Sequence, residues 1–468
     1  MPDFSSKDLA KWCNGHWVGL PPKMVNGVSI DTRTLQAGNL YLAIRGDRHE
    51  GHDFVGEAFQ HGAAAALISE FCLPVWSGKG PLLAVRDTRK ALLDLAAGYR
   101  QARTIDTVAV TGSVGKTTVK EMIADALATV GPTARTRGNW NNDIGLPMSM
   151  LDIQATDRFG VFEVGMSHPD ELVPLCTVLQ PSCGVITAIG PVHLEFFDSV
   201  QSIAREKASV FSSIPANGLA VLCRDERWFD LLRSHAKCPV LTTSLKGDAD
   251  YVGKALSDDE GKFVVYEKSS GERIKFETPL PGDYVIHDAL LAIAVARSRG
   301  ARWDALLGTI RDYKPLALRW NLQNYDGIDF VVDAYNANPV SMRAALQAFG
   351  QMKTKGGKWL VLAAMRELGA ADREEHLSLG AEVATEAWAG LVVVGEHGST
   401  IAEGAERAGW PAKKSVRCPD IATAARGLKE KVELGDAVLL KASRGEHLED
   451  VLTEWKKLHN KEGVNCAC

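Results

Sequence analysis

The sequence predicts an α/β protein built of three successive units, and three observations carry that reading. A chain of 468 residues exceeds what one hydrophobic core supports and calls for about three domains. Just before residue 112 an apolar strand runs into a glycine-bearing turn that opens a helix, the arrangement that cradles nucleotide phosphates. In the last third, strongly apolar runs alternate with helical sequence, which argues a parallel, doubly wound, Rossmann-like sheet with ligands at its strand carboxyl ends. The expected units are a small α/β substrate unit over 1–102, a central ATP-binding unit with a parallel sheet over 103–313, and the doubly wound unit over 314–468.

Bulk properties narrow the function classes. A hydrophobic content of 46% with 24% charged residues is ordinary for a soluble globular chain. The net charge of −5 gives no global attraction to nucleic acid or to an anionic membrane, so any anion needs a local site. No apolar run approaches the roughly 20 residues that cross a bilayer, and the first residues lack an apolar signal core. The nine cysteines are odd in number and carry no Cys-x-x-Cys spacing, so reduced thiols in the cytoplasm are the expectation; a monomer is expected separately. The terminal Cys466-Ala467-Cys468 reads more readily as a frayed tail than as a lipidation or metal-binding pair.

In the first unit, 28–33 reads as a strand entering a turn and 39–44 as a second strand. The segment 45–54 is a polar loop punctuated by Gly46 and Gly51 and carrying Arg45, His49 and His52. Such a loop serves equally well as surface connection, but its residues suit a diphosphate or uridine ligand. A helix over 54–61, a buried strand over 63–68 and a helix over 88–103 follow.

The central unit opens on the strand 107–111 and the turn Thr111-Gly112-Ser113-Val114-Gly115-Lys116-Thr117-Thr118, with a helix to about residue 130. Glycines let backbone N–H groups converge on an anion, and the helix N-terminus adds its dipole. Lys116 is placed for the β/γ phosphates of ATP and the Thr117 hydroxyl for Mg²⁺. Next, Asn139, Asn141 and Asn142 lie in a glycine- and proline-bearing turn, where amides can read a peptide-like substrate or simply close the turn. An apolar strand over 158–166 carries Glu163 beside the phosphate loop, a hard-oxygen ligand for Mg²⁺. A strand over 183–189 leads to His193, read as a ligand or phosphate contact, and to a helix over 202–211 bearing Lys207. A buried ammonium near a metal is disfavoured, and carbamylation by CO₂ would turn Lys207 into an anionic oxygen ligand. Strands are expected over 219–222, 263–266 and 273–277, and an alanine-rich helix over 288–299.

The last unit places apolar runs at 330–332, 359–363, 391–394 and 437–440. Polar clusters follow three of them: Asp333 to Pro339, Met365-Arg366-Glu367-Leu368-Gly369, and Lys441-Ala442-Ser443-Arg444. Three on one sheet edge favour a site.

These motifs together resemble the ATP-dependent Mur ligases over nearly the whole chain. The phosphate loop, the Asn-rich turn, and His193-Leu194-Glu195 followed by a helical lysine are shared broadly in that family. Asp333-Ala334-Tyr335-Asn336-Ala337-Asn338-Pro339, the 365–369 cluster with His376 beyond it, and Lys441-Ala442-Ser443-Arg444 are closer to the branch that adds D-alanyl-D-alanine to a UDP-N-acetylmuramoyl-tripeptide. The resemblance implies that Asp31, Thr32, Arg33 and the 45–54 loop hold the UDP end. It implies Glu163 and His193 on Mg²⁺ and a carbamylated Lys207. Arg319 and Asp333 would meet nucleotide, and Tyr335, Asn336 and Asn338 the dipeptide. Departures cluster near the base: Asp288 stands where the family has Asn, Ala188 replaces Asn, and Leu318 precedes Arg319 in place of Gly. The alternatives are another Mur-type or cyanophycin-synthetase-like ligase, or a non-catalytic nucleotide-binding relative.

Overall fold

The computed structural model describes residues 1–46, 49–256 and 261–465, with side chains to 459; the Cys466 to Cys468 tail lies outside them. Three main sheets follow one another along the chain. In the first, strands Val28–Ser29, Leu40–Leu42, Ala65–Ser69 and Leu82–Val85 run parallel in that spatial order, and His16–Val18 closes the edge antiparallel. The fully buried Leu82–Val85 run had no alternation to mark it as a strand. Helix Thr88–Gln101 begins at 88 because the Asp87 carboxylate accepts from the N–H groups of Arg89 and Lys90 at 2.8 and 3.0 Å.

The central sheet has nine strands. Thr133–Arg135, Phe159–Glu163, Asp106–Thr111, Cys183–Ile186, Leu219–Cys223, Val240–Ser244 and Tyr251–Ala255 are parallel, and Lys262–Glu267 and Arg273–Glu277 extend the sheet antiparallel. The phosphate-loop strand Asp106–Thr111 is thus flanked by the strands that deliver Glu163 and the 187–193 segment. Register pairs Glu163 with Val110 and Ile186 with Thr111, so three carboxyl ends finish level. Helix Lys116–Ala128 packs against Asp283–Ser298. The latter starts five residues before the alanine-rich stretch suggested, because burial of Val285 and Ile286 outweighs the weak helix preference of β-branched residues.

The last sheet runs Asn321–Tyr325, Ile328–Val332, Ala437–Lys441, Lys358–Leu362, Gly390–Val394, Ser415–Cys418. All neighbours are parallel except the first pair. That pair is a hairpin turned by Asp326 and Gly327, both with positive φ (46° and 79°), the geometry Asp-Gly favours. The final strand in sequence, Ala437–Lys441, inserts between Ile328–Val332 and Lys358–Leu362, creating the strand-order reversal where such sheets bind ligands.

Candidate active site

A cavity of about 760 Å³ lies where the carboxyl ends of the central sheet face those of the last sheet. Its floor is the phosphate loop. Gly112 (φ +151°) approaches so closely that a Cβ there would stand 2.0 Å from Thr187 Oγ1. Gly115 (φ +84°) caps helix Lys116–Ala128 and faces Asp288, whose Oδ1 would be 2.9 Å from a Cβ. Both positions therefore require glycine. Ser113 is tied to the neighbouring segment: its N–H donates to the Ala188 carbonyl at 2.7 Å, and its hydroxyl accepts from Gly190 N–H at 3.0 Å. Thr187 donates to the Val114 carbonyl. The loop is thus braced by a second strand end, while the Thr111 hydroxyl is buried without a hydrogen-bond partner among the described residues.

Lys116 folds back, donating from Nζ to the Gly112 carbonyl at 2.9 Å. Burial lowers its pKa, the Glu163 carboxylate opposing. Thr117 donates to Glu163 Oε2 at 2.8 Å, and Asn141 Nδ2 donates to Oε1 at 2.6 Å. Glu163 is 2% exposed, and a carboxylate at that depth is tolerable because both oxygens are hydrogen-bonded. Lys207, 1% exposed, lies on helix Val200–Ser212 and makes no hydrogen bond among the described residues. Burial first, and then the Lys116 charge, pushes its pKa well below 10.5.

The opposite wall comes from the last unit. Arg319 donates from Nη2 to Thr117 Oγ1 at 3.0 Å and lies over the Tyr335 ring at 4.2 Å. Lys441 Nζ holds Asp333 Oδ2 at 2.6 Å and the Asn336 carbonyl at 3.3 Å. His193 crosses to Glu367, Nδ1 to Oε2 at 2.5 Å. His287 and Asp288 meet at 3.4 Å. Burial opposes the charge on His287, but hydrogen bonds to Asp288 and Cys223 outweigh it and raise its pKa to about 10.

The structure therefore gathers Ser113 to Thr118, Asn139, Asn141, Asn142, Glu163, His193, Asp288, Arg319, Asp333, Tyr335, Asn336 and Asn338 on one cavity. Lys207 stands behind it. Some of these residues also have local duties. Asn142 accepts from Gly145 N–H at 2.8 Å, and Asn338 caps helix Pro339–Gln351 by accepting from Ser341 N–H at 2.9 Å.

The first-unit candidates lie apart from this cavity. Asp31 pairs with Arg33 at 2.6 Å, and the Thr32 carbonyl meets His61 Nδ1 at 2.9 Å. Arg45 faces Glu50 at 3.7 Å, Gly46 N–H donates to the His49 carbonyl at 3.0 Å, and the His49 ring lies 6.2 Å from Phe54. His52 uses both ring nitrogens, Nδ1 on Glu50 at 2.6 Å and Nε2 accepting from Ser69 N–H at 2.9 Å, which leaves none for a ligand. A Cβ on Gly51 would strike the Ile44 carbonyl oxygen at 2.4 Å. Both residues therefore shape the loop from inside. Asp47 and Arg48 of the same loop lie outside the described residues.

Sequence reasoning passed over Thr187, Tyr284, Trp320 and Arg89 as lining or bracing residues. Arg89 pairs with Asp143, directly after the Asn-rich turn; nothing in its local sequence marks it. Lys441 and Glu367 stood in clusters already noted, without individual roles.

Comparison with known proteins agrees with this geometry. Family models described as the Mur ligase family catalytic domain, the Mur ligase middle domain, and the Mur ligase glutamate ligase domain match residues 24–100, 110–296 and 319–444. The chain is 33% identical to the UDP-N-acetylmuramoyl-tripeptide–D-alanyl-D-alanine ligase of Bacillus subtilis, covering 92% of this chain and 93% of that one. Its fold superimposes on MurF from Acinetobacter baumannii with a TM-score of 0.88 at 27% identity, over 98% of this chain and 99% of the other. MurF ligase from Thermotoga maritima, solved in complex with ADP, gives 0.80 at 26% identity over 94% and 99%. With matching models in all three units and a relative that spans nearly its whole length, the chain belongs to the Mur ligase family.

Proposed function

We propose that this protein is an ATP-dependent ligase that joins D-alanyl-D-alanine to the peptide carboxylate of a UDP-N-acetylmuramoyl-tripeptide, a step in peptidoglycan precursor synthesis. The observation that carries the reading is one cavity in which a phosphate loop, Glu163 and the 333–338 segment of a second sheet converge. The full-length relatedness to the Bacillus subtilis enzyme of that name supports the substrate assignment.

In this reading residues 1–102 hold the UDP end, 103–313 bind ATP, and 314–468 bring the dipeptide. The protein works as a cytoplasmic monomer; no helix among the described residues is long and apolar enough to cross a membrane. A substrate carboxylate oxygen attacks the γ-phosphorus of ATP, and ADP leaves. The dipeptide amine then attacks the acyl carbon, and phosphate departs as the amide forms. Lys116 and the loop N–H groups meet the phosphate oxygens as charge develops on them. Tyr335, Asn336 and Asn338 line the side from which the amine arrives. Much of the rate comes from holding carbonyl and amine together where water is excluded.

The donor set fits Mg²⁺: the Glu163 carboxylate, the Thr117 hydroxyl and the His193 imidazole line one cavity, and two of the three offer the hard oxygen that this ion prefers. Bound there, Mg²⁺ supplies charge compensation at the phosphate oxygens. Lys207, buried and without a hydrogen bond among the described residues, is the residue for carbamylation: its neutral amine adds to CO₂ and releases one proton. The resulting anion faces Lys116 favourably, whereas an ammonium does not.

The test is coupled phosphate release against a substrate panel. Turnover is expected only with the UDP-muramoyl-tripeptide and D-alanyl-D-alanine together. Equal turnover with a single amino acid as acceptor amine would overturn the substrate assignment, and ADP formation without any peptide substrate would overturn the ligase reading.

A further inference from the structure

His193 follows the central sheet and Glu367 follows the last one, 174 residues later, yet their side chains form one hydrogen bond. We propose that Glu367 is a positioning residue that sets the orientation of the His193 ring from across the interface, so that the cation site is completed by a residue of the opposite unit. The inference rests on the reading of His193 as a cation ligand.

The chemistry of the pair gives the direction. An ionised carboxylate only accepts, so its contact places the ring hydrogen on Nδ1 and leaves the Nε2 lone pair available. Ligating histidines commonly donate their other nitrogen to a carboxylate in this way, which fixes both tautomer and ring plane. Among the described residues nothing bonds His193 Nε2, and the residue lines the cavity.

The backbone shows that the meeting is built. His193 (φ 55°) and Glu367 (φ 64°) are both non-glycine residues held in the left-handed region, a conformation that persists where surrounding structure imposes it. Glu195 N–H donates to the Glu367 carbonyl at 3.3 Å. Gly369 (φ +55°) passes so close that a Cβ would lie 3.0 Å from Glu195 Cα. The 365–369 segment is pinned from behind: Met365 N–H donates to His376 Nε2 at 3.0 Å, and Arg366 N–H to Ser443 Oγ at 2.9 Å. His376 also meets the Asp372 carbonyl through Nδ1 at 2.7 Å. Both its nitrogens are therefore committed to this loop, and the Asp372, His376 and His397 grouping is structural rather than a second metal site. An exposed ion pair alone contributes little and does not account for two left-handed residues facing each other.

The experiment uses the full chain with a non-hydrolysable ATP analogue and Mn²⁺ as the probe, read by electron paramagnetic resonance titration. Circular dichroism confirms folding of each variant. Glu367→Ala is expected to weaken Mn²⁺ binding by about 10- to 100-fold, and His193→Ala by at least as much. Glu367→Gln keeps an oxygen acceptor for Nδ1–H and is expected to recover most of the loss. Wild-type affinity in Glu367→Ala alongside a loss in His193→Ala would overturn the positioning role and leave the ligand reading standing. Wild-type affinity in His193→Ala would overturn the ligand reading itself, and a Gln variant as weak as Ala would overturn orientation in favour of charge alone.

Discussion

Replacing Lys207 with Met tests whether this lysine is kept for chemistry at the expense of stability. The residue is 1% exposed, makes no hydrogen bond among the described residues, and has the Lys116 charge as the largest neighbouring influence after burial, with Glu206 and Glu163 opposing. Exchanging buried ions for apolar groups of similar volume is commonly neutral or stabilising by about 1–4 kcal/mol. With Glu206 and Glu163 giving partial compensation, the low half of that range applies, about 1–2.5 kcal/mol, a Tm rise of roughly 2–10 °C at 2–4 °C per kcal/mol. The sign of the pH dependence follows from the lowered pKa. Between its folded value and 10.5 the unfolded chain binds more protons at this residue, so wild-type stability rises with pH across that window, and the Met variant loses that rise. The assay is calorimetry in CO₂-stripped buffer, then with bicarbonate, which should stabilise the wild type but not the variant. Phosphate release should fall by about 10²-fold or more. A variant that melts lower than wild type, or that keeps its turnover, refutes the reasoning.

Lys116→Ala should lower phosphate release by about 10²–10³-fold with an unchanged melting curve, since among the described residues its Nζ bonds only the Gly112 carbonyl within its own loop. Asp288→Asn removes a carboxylate that helps hold His287 charged. The wild type should lose stability as pH climbs from 6.5 through about 10, and the variant should lose less, measured by thermal melts over that range. The same Asp288 predicts weakened discrimination of ATP from GTP in turnover assays, which strict ATP use would contradict. His52→Ala should destabilise the first unit by about 1–3 kcal/mol through the orphaned Ser69 N–H, leaving ADP affinity by calorimetry unaltered.

Local pattern made the phosphate loop legible, because a strand, two conformationally special glycines and a Gly-Lys-Thr helix start are contiguous. The same holds for Glu163, whose apolar flanks placed it at a strand end. The four apolar runs of the last sheet were visible as composition, but the edge strand Asn321–Tyr325 was not: three of its five residues are Asn or Gln, and only Asp326-Gly327 signals the turn. Residue type alone does not distinguish a substrate contact at Asn338 from the helix cap the structure shows, since both need the same side-chain oxygen. His52 shows the converse. A histidine in a polar loop looks available, and only the three-dimensional path of Ser69 shows that it is spent on the fold. The His193–Glu367 and Arg319–Thr117 pairings had no sequence signal, because nothing local encodes a partner 174 or 202 residues away.

Those long-range pairings explain how a site rich in ion ligands holds together by itself. Glu163 is too buried to be left bare, and an unsatisfied carboxylate at that depth would be heavily disfavoured. Thr117 and Asn141 donate to it, and Arg319 places its own positive charge on Thr117, where a cation is expected. In the proposed reading, ligand binding at this site is an exchange of protein donors for nucleotide and ion, not a simple gain of contacts. An exchange of that kind favours partners that replace every contact at once: a nucleotide without its cation leaves Glu163 short of charge, and a cation without phosphates has Arg319 to displace. Because Arg319 and Glu367 both come from the last unit, the exchange is complete only when that unit sits against the phosphate loop. Binding energy is thereby tied to closure, the condition under which an acyl phosphate is kept from water until the amine arrives.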